Sequence, residues 1–191
     1  MTTTTTLSTQ SNHKPYRCPY WIAWLLASPL RRLGEDLSRL AAAAARPGDR
    51  VLELGPGLGF YTLPLARRVG PDGKVIAIDA QQVMLDTLAL RCQKAGINER
   101  IELLCGGDPL TPGGLEGSID VAFLVNVVHE TRDPATLFFD IAKVLRPGGT
   151  VYLREPSGQC ASSLFEQELV WARNAGLSVV SQRRMQATLK K

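Results

Sequence analysis

The middle of the chain alternates between short runs of Val, Ile and Leu and longer amphipathic stretches. That alternation restricts the fold more than any other feature. Residues 50–55, 74–79, 100–105, 120–126 and 150–155 read as strands. They lack a strict apolar–polar alternation, as parallel strands covered on both faces do. Helical patterns over 58–69, 81–95, 134–145 and 162–175 lie between and after them, and an alanine-rich helix over 35–45 precedes the first. A repeated β-α-β order predicts a parallel sheet with right-handed crossovers and helices on both faces.

The turn residues agree. Pro47-Gly48 stops the alanine-rich helix, and Gly70-Pro71-Asp72-Gly73 and Gly96 turn helix into strand. Asp133-Pro134 is an N-cap followed by a first-turn proline. Arg146-Pro147-Gly148-Gly149 ends the next helix. The last part of the chain differs. Strand-like runs over 177–182 and 185–189 are separated only by Arg183-Arg184. So short a link cannot be a parallel crossover, so an antiparallel hairpin is expected there.

The 191 residues, 45% apolar and 21% charged, suit one globular domain and exclude a disordered or collagen-like chain. Residues 1–14 read as a disordered polar tail, 15–46 as an N-terminal helical lid and 47–191 as the main domain. The start of the chain is too polar for a secretory signal. The apolar run over 21–27 is about a third of the ~20 residues a membrane span needs. Cys18, Cys92, Cys105 and Cys160 sit far apart with no metal-ligand spacing, so neither zinc nor a disulfide framework is expected. A reducing cytoplasm suits them. The net charge of +4 comes from the ends: residues 1–50 hold seven basic and three acidic groups, and the last 19 hold five basic groups and no acid. Such ends could touch nucleic acid or an anionic membrane surface. Solvated Lys and Arg is the plainer reading.

The main chemical signal is Glu53-Leu54-Gly55-Pro56-Gly57-Leu58-Gly59, which follows an apolar strand and opens a helix. Glycines there allow a tight turn and close approach of a ligand beyond the carboxyl ends of the strands. The spacing is not that of a dinucleotide fingerprint, because Phe60 stands at the sixth position, and no Gly-Lys-Ser/Thr follows for a nucleotide P-loop. Asp79 ends the second strand, 24 residues beyond Gly55, where a carboxylate can accept from a ribose diol. Glu53 places a second acid beside the loop. Acids there repel a pyrophosphate and suit a positively charged nucleoside.

Together with Ile78-Asp79 and Leu145-Arg146-Pro147-Gly148-Gly149-Thr150, this loop resembles the Rossmann-like (class I) S-adenosylmethionine-dependent methyltransferases over residues 33–191. The resemblance implies an α/β three-layer sandwich with a seven-stranded, mostly parallel sheet, one strand of a C-terminal hairpin running antiparallel. It implies S-adenosylmethionine as cofactor. Gly55, Gly57 and Gly59 would approach its methionine part and ribose, with Glu53 near the amino group. Asp79 would bind the ribose hydroxyls, Ala80 would flank the adenine, Asp108 would face its exocyclic amine and Asn126 would line the sulfonium side.

Methyl transfer from a sulfonium is an in-line displacement, which needs positioning and water exclusion but no metal and no covalent nucleophile. His129, just past the fourth strand, has an imidazole suited to proton removal near neutral pH. It equally suits a structural place on the rim, and Glu130 is either its partner or a surface acid. Glu155 either orients an acceptor or is a strand-end turn residue. Phe60 and Tyr61 either border the ligand or are core. The aromatic segment around Tyr16 and Tyr20 suits a lid that lends those two to the acceptor pocket, a membrane-surface contact, or plain core.

A small-molecule methyl acceptor is the expected partner. The Asn/Asp-Pro-Pro-Tyr signature of amino-group methylation is absent where Asn126-Val127-Val128-His129 stands. The rivals are a non-catalytic cofactor-binding or partner protein and an NAD-dependent reductase. The missing sixth glycine and the lack of a Tyr-x-x-x-Lys pair count against the reductase.

Overall fold

A computed structural model describes residues 37–106, 113–158 and 160–191. Asp108, Tyr16, Tyr20, Cys18, the tail over 1–14 and most of the expected lid lie outside these residues. Among the described residues five helices and seven strands follow in chain order: α1 (Leu37–Ala44), β1 (Arg50–Leu54), α2 (Thr62–Val69), β2 (Lys74–Asp79), α3 (Gln82–Lys94), β3 (Ile101–Cys105), β4 (Ile119–Val125), α4 (Pro134–Val144), β5 (Leu145–Arg154), α5 (Ser162–Asn174), β6 (Ser178–Arg183) and β7 (Gln186–Lys190). Single 3-10 turns cover Asn98–Arg100 and Val128–Glu130.

The strands form one sheet in the order β3-β2-β1-β4-β5-β7-β6. β1 to β5 are mutually parallel, and β7 is antiparallel to both its neighbours. This is the Rossmann-like α/β sandwich that the sequence predicts. Alternate residues feed its two faces. Leu52, Leu54, Ala122, Leu124, Val151 and Leu153 pack with α4 and α5. Val51, Val121, Phe123 and Tyr152 pack with α1, α2 and α3. Phe123 and Tyr152 are register partners on β4 and β5 and stack with ring centroids 5.2 Å apart. Tyr61 tilts against Phe123 at 5.5 Å, so the core claims it.

Three boundaries differ from expectation. α2 begins at Thr62 and not at residue 58, because Gly55, Gly57 and Gly59 all take left-handed φ and prolong the loop. β5 begins at Leu145, five residues early. Ile119 pairs with Leu145 and Val121 with Thr150, so the Arg146–Gly149 turn is a bulge inside the strand. The hairpin link is Arg184-Met185, with Arg184 at φ 47°, one residue later than expected.

Candidate active site at the carboxyl edge of the sheet

Strand order places the carboxyl ends of β1, β2 and β4 side by side, with β5 next to β4. The loop after β1 is stitched to β2: Gly55 N–H donates to Ile78 O at 2.9 Å, and Gly57 N–H donates to Asp79 Oδ2 at 3.1 Å. Asp79 Oδ1 accepts from Gln81 N–H at 2.9 Å. Each carboxylate oxygen thus takes one backbone donor and keeps acceptor capacity for another. Burial raises the Asp79 pKa, and the two N–H donors oppose that rise.

The glycines divide by role. A Cβ on Gly57 would meet nothing within 4 Å, so this backbone faces open space. A Cβ on Gly55 would stand 3.0 Å from Val127 Cγ2. A Cβ on Gly59 would fall 2.2 Å from Leu88 Cδ1 and 2.9 Å from Leu63 Cδ1, so the bare backbone there lets α2 and α3 close on the loop. Ala80 is exposed beside the strand tip.

Glu53 is buried, and burial pushes its pKa up to about 8. Thr62 lowers it in part and the Asp79 charge adds to it. No hydrogen bond of normal geometry forms, since Glu53 Oε2 and Thr62 Oγ1 are both unpaired. A buried acceptor oxygen without a donor is costly, and a ligand ammonium is one group that would satisfy it.

The β4 end carries the second half of the site. Asn126 sits at φ 56°, rare for a residue with a side chain, and its N–H donates to Arg154 O at 2.8 Å. The chain then enters the 3-10 turn that holds His129. Glu155, at the tip of β5, is 2% exposed. Its Oε1 accepts from Val128 N–H at 2.9 Å, and its Oε2 meets His129 Nδ1. His129 Nε2 lies 3.9 Å from Glu130 Oε1. Burial alone would depress the imidazole pKa. The hydrogen bond and charge of Glu155, with the charge of Glu130, outweigh it and raise the value above 6.5.

Burial raises the Glu130 pKa; the charge of His129 opposes this, and Glu155 and Asp79 add to it. Asp79 and the His129 turn therefore share one electrostatic rim. The sequence leaves Glu155 as either an acceptor-orienting residue or a strand-end turn residue, and Glu130 as either the partner of His129 or a surface acid. The geometry engages both Glu155 oxygens within the chain, one of them on His129.

Glu168 on α5 had no sequence signal. It is fully buried, both its oxygens are unpaired, and burial with the Glu155 charge pushes it up to about 9. Cys160 is buried, and its thiol is pushed up to about 12 by burial and by the charges of Glu168 and Glu155. Cys105, at the tip of β3, is exposed. Cys105 ends β3 and Cys160 follows β5, and three strands lie between those two, roughly 19 Å at ~4.8 Å per strand. Among the described residues no His, Cys, Asp and Glu group is arranged to hold a metal, and no helix is long and apolar enough to cross a membrane.

A family model described as "Methyltransferase domain" matches residues 51–149, from β1 through the β5 bulge. The chain belongs to the class I S-adenosylmethionine-dependent methyltransferases. It is 36% identical over 115 residues to an arsenite methyltransferase of Halobacterium salinarum, covering 60% of this chain and 29% of that protein. It is 34% identical over 131 residues to a demethylmenaquinone methyltransferase of Lactococcus lactis, covering 69% and 47%. A crystal structure of a SAM-dependent methyltransferase from Aquifex aeolicus superposes with TM-score 0.75 at 22% identity, over 91% of this chain and 98% of that one. The chain spans less than half the length of these curated relatives.

The cofactor of this methyltransferase family is S-adenosylmethionine, and the residues present fit it. The open backbone at Gly57, the spare acceptor capacity of Asp79 and the orphaned Glu53 oxygen are the features a cationic nucleoside with a ribose diol and an ammonium calls for.

Proposed function

We propose that this chain transfers a methyl group from S-adenosylmethionine to a small-molecule acceptor. One observation carries the reading: the bare backbone at Gly57 faces open space and is tied by its N–H to the carboxylate at the neighbouring strand tip, Asp79. When bound, the cofactor supplies a sulfonium methyl open to in-line attack.

The chain's own residues do the rest. Gly55 and Gly57 admit the ligand backbone-first, and Asp79 accepts from its ribose hydroxyls. Ala80 borders its base, Glu53 accepts from its ammonium, and Asn126 lines the side where the methyl is presented. His129 takes up the proton the acceptor gives off. Asp108 belongs to the same expected set on the adenine side, and Tyr16 and Tyr20 to the acceptor pocket; all three lie outside the described residues. The names of the two curated relatives, which specify arsenite and demethylmenaquinone, support a small acceptor here. The separation of β3, which ends at Cys105, from β5, which precedes Cys160, weighs against arsenite, which takes soft thiolate ligands.

The test is calorimetry with S-adenosylmethionine, S-adenosylhomocysteine and NADH. Binding of the two nucleosides with no response to NADH supports the reading. The reverse pattern overturns it in favour of a reductase.

A further inference from the structure

We propose that Glu155 is a positioning residue that sets His129 as the proton acceptor for an acceptor molecule entering as a neutral hydroxyl compound of the phenol or enol class. This rests on the methyl-transfer reading above and names its substrate class.

The side chain of Glu155 is fully buried and both of its oxygens are engaged, one by Val128 N–H and one by His129 Nδ1. It cannot touch an acceptor and acts through the imidazole. A carboxylate facing Nδ1 requires the proton on Nδ1, which leaves the Nε2 lone pair as the basic site. Glu130 Oε1, 3.9 Å from Nε2, is too distant to hydrogen-bond there. Among the described residues Nε2 is thus the basic ring atom left for a substrate proton, and His129 retains a little exposure, at 12% of its side chain.

The surroundings select the acceptor. Asp79, Glu130 and Glu155 face this rim, and Glu168 and Cys160 lie behind Glu155. The carboxylates of Asp79, Glu130 and Glu155 disfavour an acceptor that arrives as an anion, such as a thiolate or a carboxylate, while Glu168 and Cys160 keep their protons and add no charge. A neutral amine is nucleophilic before it loses a proton and gains little from a base. A neutral hydroxyl is a poor nucleophile until its proton begins to leave, so it gains most. In the step, the O–H bond breaks toward His129 Nε2. The oxygen bonds to the methyl carbon as that carbon's bond to sulfur breaks, and the bonding pair stays on sulfur. The products are a methyl ether, S-adenosylhomocysteine and an imidazolium that returns its proton to water.

The experiment uses the full chain in three forms: wild type, Glu155→Gln and His129→Gln. Nitrogen-15 NMR of the imidazoles follows tautomer and titration, and subtraction of the His129→Gln spectrum removes His13, the other histidine, and leaves His129. The wild type is expected to show His129 protonated on Nδ1 and titrating above 6.5. Glu155→Gln, which retains an oxygen for Val128 N–H, is expected to lower that titration and mix the tautomers. If Glu155→Gln does not fold, Glu155→Asp replaces it. An unchanged tautomer and titration overturn the positioning role.

Labelled S-adenosylmethionine is then offered with matched panels of phenols and enols, thiols and amines. Turnover is expected with hydroxyl compounds. It should fall ~10²–10⁴-fold in His129→Gln with S-adenosylhomocysteine affinity retained. In Glu155→Gln, kcat should fall more than KM changes, and the acid limb of the pH profile should move down. Turnover of thiols or amines alone, or of nothing, overturns the substrate class. Failure of wild type to bind S-adenosylhomocysteine overturns the methyl-transfer reading instead, and the NMR result separates the two failures.

Discussion

Gly57 N–H donates to Asp79 Oδ2 at 3.1 Å, so the loop after the first strand is held by the tip of the second. Asp79→Ala removes that tether, the Gln81 N–H bond and the carboxylate offered to the ribose together. Hydrogen bonds to charged groups contribute ~1.5–3 kcal/mol, so S-adenosylhomocysteine affinity is expected to fall at least tenfold by calorimetry. Unaltered affinity in a folded variant would sink the assignment of this edge as the nucleoside site.

Gly57→Ala and Gly59→Ala should separate binding from folding. At Gly59 the new methyl would meet Leu88 Cδ1 and Leu63 Cδ1 with φ at +81°. Overpacking and left-handed backbone each cost on the order of 1–3 kcal/mol, and ~2–4 °C of Tm accompanies each kcal/mol in a chain this size. At Gly57 the methyl meets no protein atom and pays only the left-handed penalty at φ +52°, about 1–2 kcal/mol. Gly59→Ala is therefore expected to show the larger loss of Tm. Gly57→Ala is expected to show the larger loss of S-adenosylhomocysteine affinity per degree of Tm lost. The opposite ranking in melts and titrations would reverse the two roles.

Glu168 gives stability a pH dependence of definite sign. Its folded pKa of about 9 stands above the ordinary 4.5. As pH climbs from about 4.5, the unfolded chain releases this proton while the folded chain retains it, so the folded state loses ground up to about pH 9. Glu53, at about 8, acts in the same direction. Glu168→Met substitutes an apolar side chain of similar length for two unpaired oxygens. Its Tm at pH 8 should exceed wild type by several degrees, at ~2–4 °C per kcal/mol, and the gap should narrow toward pH 4.5. A gap that widens in acid would contradict a neutral Glu168.

The parallel β-α-β alternation and the closing antiparallel hairpin are readable because Val, Ile and Leu runs and Pro/Gly turns are local signals. The start of α2 was not, since left-handed glycines at 55, 57 and 59 defer a helix whose apolar pattern already begins at Leu58. The β5 bulge hid behind Arg146-Pro147-Gly148-Gly149 for a similar reason: a turn sequence does not reveal that its flanks both pair with β4. Asp79 and Gly57 could be named from spacing, because the loop and the strand tip are fixed by one β-α-β unit. The partner of His129 could not be settled that way. Glu130 is adjacent in sequence, whereas Glu155 reaches Nδ1 only after β4 and β5 are laid side by side. Glu168 was invisible, because its helical position is defined by what α5 covers and not by its neighbours along the chain.

β7 lies between β5 and β6, although it leaves the ribosome after both. Until residues 186–190 emerge, the flank of β5 that they occupy has no partner. At ~5–20 residues per second, the 36 positions between Arg154 and Lys190 take roughly two to seven seconds to make. A nascent chain therefore carries a raw sheet margin of Val, Tyr and Leu through that interval, and a pause in translation there would hold it open for chaperones or for another unfinished chain.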